Sequence, residues 1–192
     1  MGASLVTTFR AMAHNNAWAN FRLLKACAGL TQDEFLAART SFFPSIALTL
    51  NHTLTVDWFY VDALEGGTLG LDAFAQDLPC PLLADLAREQ RAIDVRLVAH
   101  CDGLTEAALD DIVRIDRRTR VQRERRDRLL LHLFQHQIHH RGQVHAMLAG
   151  TNVKPPQLDE FFSIGEASLR AVDFAALGWT EEDIWGAHEL RG

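Results

Sequence analysis

Five of the nine histidines in this 192-residue chain fall between Leu129 and Leu148. On a helix, residues three and four apart share a face. His136 and His140 therefore stack one turn apart on a stripe with Leu129 and Met147, flanked by Leu133, Gln143 and Val144. A helix buries such a stripe. An unpaired buried polar ring costs roughly 1–3 kcal/mol, so two imidazoles on that face call for a shared partner. An i, i+4 histidine pair is the spacing by which helices chelate a divalent metal.

A third imidazole has the same placement. His52 lies on the stripe Leu48, Val56, Phe59 and Ala63 of an earlier helix. Three neutral imidazoles, His52, His136 and His140, suit zinc, nickel, iron or cobalt, and leave a coordination position for water or substrate. His139, just off the stripe, is the candidate to hydrogen-bond a ligand from behind. His132, one turn before His136, is the rival ligand. It stands about 12 Å along the axis from His140, so a His132–His136 pair would leave His140 out. His145 points to the opposite side and reads as surface. Asp57 points away from the His52 stripe and is set aside as a ligand, and Gln137 reads as an ordinary helix residue.

The elements that must carry these residues follow from periodicity and punctuation. A first helix spans Leu5 to Leu30, with Phe9, Met12, Asn16, Asn20, Leu23 and Cys27 on one face and Gly29 near its stop. Thr31 caps a following turn. A second helix starts at Pro44-Ser45 and runs to Gly66-Gly67, a strong stop. Residues 67–81 form a loop, and a third helix covers Pro81 to about Cys101. Alternation around Ile115 predicts a short β-hairpin before the fourth helix, Glu124 to Ala149. Pro155-Pro156 cannot continue that helix. Short helices are expected from about Asp159 and over Thr180–Leu190, with Trp179 and Trp185 packing this tail on the bundle or on a second subunit. The expected fold is an all-α four-helix bundle over residues 1–165 with a C-terminal helical tail, 166–192. No internal repeat interrupts it.

Composition narrows the function classes. At net charge −6 and 48% hydrophobic content, the chain can bury one domain core but lacks the basic balance of a nucleic-acid binder. The Arg114–Arg128 run is interleaved with Asp116, Glu124 and Asp127, so it reads as a solvated charged face. No apolar run approaches the ~20 residues that span a bilayer, and the N-terminus lacks the pattern of a signal peptide. Cys27, Cys80 and Cys101 are scattered and odd in number. They suit a reducing cytoplasm and read as small buried hydrophobes.

Two stretches resemble a known family. Leu50–Trp58 (LNHTLTVDW) is similar to the second-helix motif of the DinB/YfiT-like metal-binding proteins, and His132–His145 (HLFQHQIHHRGQVH) to their fourth-helix signature. Asn15–Leu24 and Pro155–Asp159 fit as well, so the resemblance covers roughly residues 5–165. This DinB family is unrelated to the DNA polymerase of that name. The resemblance implies a four-helix bundle with a divalent metal on His52, His136 and His140, frequent homodimers, and in some members a thiol-dependent transferase or isomerase activity. There the metal activates a low-molecular-weight thiol toward a small electrophilic substrate. The alternatives are a metal-dependent hydrolase, with water in place of thiol, and a non-catalytic metal-binding stress-response protein.

Overall fold

The computed structural model describes residues 4–186. Four long helices form the bundle: α1 (Leu5–Cys27), α3 (Ile46–Leu64), α4 (Leu83–Asp102) and α5 (Arg126–Leu148), with α2 (Gln32–Leu36) a short turn between the first two. α1 packs on α4 and α5, and α3 packs on the same two.

Local chemistry sets the helix starts. Ser4 caps α1 and Ser45 caps α3, each accepting from a backbone N–H in the first turn. Thr31 and Glu34 form a reciprocal capping box on α2, which satisfies two otherwise orphaned donors. α1 ends at Cys27, two residues short of Gly29. At the far end of α3, Gly66 adopts φ +82°, a left-handed conformation that costs glycine nothing.

The expected hairpin is present: β1 (Ile112–Asp116) pairs antiparallel with β2 (Val121–Arg125). Val113 and Ile115 point inward while their neighbours are exposed, the period-two pattern of a half-buried strand. Glu124 and Arg125 belong to β2, so α5 starts two residues later than the periodicity suggested. The arginines of this region pair across the surface, Arg118 with Asp72 and Arg125 with Asp110 and Asp127.

The tail differs from expectation at one point. No α-helix begins at Asp159; two 3₁₀ turns, Glu160–Phe162 and Ile164–Glu166, precede α6 (Ala167–Leu177). The cause is packing, since Phe161 is fully buried against Trp18 and Phe174. A continuous helix would carry it off that contact. α7 (Glu181–Trp185) is Thr180-capped as expected, and the predicted residues beyond 186 lie outside the described ones. Trp179 packs edge-on against His14 of α1, and Trp185 packs on Phe161. These contacts make a second apolar cluster on the outer side of α1.

Arg22 fastens the tail. Its guanidinium, 13% exposed, pairs with Asp173 at 2.7 Å and with Glu160. It also donates to the carbonyls of Gln157 and Leu169, and it stacks over Trp18.

Among the described residues, no helix is long and apolar enough to cross a membrane. All three cysteines are free and buried, and burial pushes the Cys27 and Cys101 thiols up to about 12. Neither is an available nucleophile.

Candidate metal centre

α3 and α5 bring His52, His136 and His140 together. One ring nitrogen from each lies within 4.8 Å of the others, a separation over which three imidazoles could hold one ion. The Nε2 atoms of His52 and His136 are 3.0 Å apart. The two rings of α5 sit edge to face at 4.4 Å between centroids, as expected for residues one turn apart.

The three rings are kept uncharged. Burial, reinforced by the neighbouring His140, lowers His52 to about 4. Burial, then repulsion from His140 and His52, lowers His136 to about 3. His140 is lowered too, chiefly by burial. Neutral imidazoles expose lone pairs, the form in which histidine ligates. The Nδ1 of His136 is buried without a hydrogen-bond partner. Three converging nitrogen donors with no carboxylate among them fit a borderline-soft divalent ion.

Gln143 orients the third ring. Its Oε1 accepts from His140 Nδ1 at 2.8 Å, which leaves Nε2 of His140 as the free donor atom. Its amide in turn contacts Nε2 of His139 at 3.1 Å. His139 is itself exposed and touches the site through Gln143 and through ring contact with His140. His132 is exposed, 6.3 Å from the His136 ring, and stands outside the three-histidine group. His145 bonds the Pro156 carbonyl on the far side of α5.

Phe43, in the segment between α2 and α3, stacks on His52 at 4.3 Å and reaches His140 at 5.6 Å. It roofs the site with an apolar face, and nothing in the sequence marks a loop phenylalanine for that position. Beside it a cavity of about 510 Å³ opens between residues 39–42 and the end of α5, with Gln143 in its wall.

A family model described as the DinB family matches residues 1–169. The chain belongs to the DinB family. No curated protein matches it. Within this DinB-family fold, a three-histidine cluster spanning α3 and α5 suggests a divalent metal.

Sequence reasoning missed the polar centre beneath this site. Gln137, next to His136, is fully buried, and its amide donates to Asp57 and to the Thr53 carbonyl, 3.2 Å. Gln90 of α4 donates to Asp57 at 2.7 Å and to Asp94 at 3.2 Å. Asn16 and Asn20 of α1 donate to the same Asp94 oxygen and accept from the buried Arg141. Burial pushes Asp57 up to about 7. Burial and then the charge of Asp57 push Asp94 up to about 8. Asp57 is thus no ligand, as expected, but it holds α3 and α5 in register one turn below the histidines.

Proposed function

We propose that His52, His136 and His140 bind one divalent ion and that the chain is a metal-dependent enzyme. Its leading chemistry is transfer of a low-molecular-weight thiol to a small electrophilic molecule. The observation that carries the metal reading is the convergence of three uncharged imidazoles on one point. Such an ion, with three protein ligands, keeps a position open and acidifies a thiol or water bound there. Gln143 fixes the His140 ring, and Phe43 excludes water from one side of the centre. The cavity walled by Gln143, Arg39 and Phe42 is of the size that admits a small substrate. The thiol itself comes from family likeness alone. On the same footing we take the protein to act in the cytoplasm, as a homodimer.

The test is spectroscopic. Cobalt-loaded protein is titrated with glutathione, bacillithiol and mycothiol, and a sulfur-to-metal charge-transfer band is the expected result. Cobalt spectra unmoved by every thiol at millimolar concentration would end the transferase reading. Thiol-independent turnover of ester or amide substrates, lost with chelator, would put a hydrolase in its place. Metal binding without either activity would leave a metal-binding stress-response protein.

A further inference from the structure

We propose that the cavity between α1, α4 and α6 is a second ligand site that takes a small primary amine, its apolar body against the helices and its ammonium on Asp94. The cavity measures about 600 Å³, and Phe21, Leu24, Leu83, Ala87 and Leu177 give it apolar walls. Asp94 is the buried polar group in that wall, 3% exposed. Its Oδ1 is saturated by Asn16, Asn20 and Gln90. Among the described residues no hydrogen bond reaches its Oδ2. Oδ2 keeps accessible surface in the cavity wall, where a ligand donor can reach it.

Charge decides which donor. The bundle interior holds two carboxyls, Asp57 and Asp94, against one guanidinium, Arg141. Arg141 reaches neither acid directly and bonds the asparagine oxygens instead. Burial leaves the Asp94 carboxyl holding its proton near neutral pH, and an amine at Oδ2 takes up that proton and stays as an ammonium in a charge-assisted bond. The cations at the mouth already have partners: Lys25 lies 3.4 Å from Asp173, Arg88 2.6 Å from Asp85, and Arg91 donates to the Leu177 carbonyl. Among these groups, the Asp94 Oδ2 is the acceptor in the wall that has no partner.

The probe is 2-phenylethylamine, compared with 2-phenylethanol and 3-phenylpropionate by calorimetry and by amide chemical shifts. The amine is expected to bind saturably, at least about tenfold tighter than the alcohol, with the carboxylate silent and shifts confined to α1, α4 and α6. Ala87→Phe, which fills the cavity from its wall and leaves Asp94 in place, should abolish binding with the circular-dichroism spectrum unchanged. Asp94→Asn should erase the preference for amine over alcohol, and if that variant does not fold, Ala87→Phe still carries the test. His136→Ala should bind the amine as the parent does, which separates this site from the histidines. Equal affinity for amine and alcohol, binding that survives Ala87→Phe, loss of binding in His136→Ala, or no saturation at millimolar amine would each overturn the proposal.

Discussion

The bundle buries two sets of polar groups and treats them in opposite ways. Around Asp57 and Asp94 most polar atoms have a partner, Asp94 Oδ2 and Gln137 Oε1 excepted: Gln90 serves both acids, Gln137 serves Asp57, and Asn16 and Asn20 stand between Asp94 and Arg141. At the histidines, one turn away, few partners exist. His136 Nδ1 has none, His140 Nδ1 meets Gln143, and the rings otherwise face one another and Phe43. Internal saturation orders a core. Under-saturated donors that converge mark a place where an outside partner completes the coordination. Gln137, adjacent in sequence to His136, commits its amide N–H groups to the first set, while its Oε1 and the His136 Nδ1 are both without a partner.

Breaking the saturated region should cost most. At pH 9, where both acids are ionised, Arg141→Met leaves two buried carboxylates with no compensating charge and should destabilise the protein by about 3–5 kcal/mol in urea unfolding. A loss under about 1 kcal/mol would mean that the acids are neutral enough to need no cation. His136→Ala should remove most bound metal by elemental analysis, while His145→Ala keeps it. Metal at a hundredfold excess over Kd stabilises the fold by about 2.7 kcal/mol, so chelator should lower Tm in the parent but not in His136→Ala. With its own apolar core, the metal-free parent should remain folded at room temperature. Gln143→Leu, which frees the His140 ring, should weaken metal binding by roughly 10–100-fold, as read by competition with a chromophoric chelator.

The smallest effect separates the two regions by pH. The folded state lowers His52 to about 4 and His136 to about 3. Below about pH 6.5 the unfolded chain therefore binds protons that the folded one refuses, and their contribution is lost as pH falls through those values. The folded state raises Asp57 to about 7 and Asp94 to about 8. Their contribution is present below about pH 4 and is lost as pH rises through 7 and 8. Metal-free stability should thus decline between pH 6.5 and 8.5, where the histidines no longer oppose the acids, by at most ~1.4 kcal/mol per pH unit for each carboxyl. Asp94→Asn should flatten that decline. A parent curve already flat in this window would show that the acids do not hold protons.

What could be read from the chain followed the geometry of single helices. His136 and His140 declare themselves because one helix sets their spacing, and His52 because its stripe is apolar. The polar centre was hidden for a physical reason. A helical wheel assumes an outer face, but α3 buries 14 of its 19 residues, on every side. Asp57, correctly read as pointing away from His52, therefore points into another part of the core. Gln137 was missed for a different reason: α5 buries a single stripe, Leu130, Leu133, Gln137, His140, Arg141 and Val144, and a wheel centred on His136 puts Gln137 off it. Asn16 and Asn20 did stand on the apolar stripe of α1, a visible sign of buried amides, but their partners lie 74 residues or more away. Phe43 was out of reach because loop conformation has no period, and the two turns before α6 because the Phe161 anchor is a tertiary contact.

Arg22 sets how the tail and the bundle come apart. One side chain on α1 grips Gln157, Glu160, Leu169 and Asp173, four points spread over the tail. Peeling the tail away would strand a guanidinium beside Trp18 and expose the cluster around Phe161 in the same motion. The stretch from Gln157 to Asp173 therefore does not open residue by residue. It opens as one unit, so the amides of α6 should exchange with solvent through one common opening.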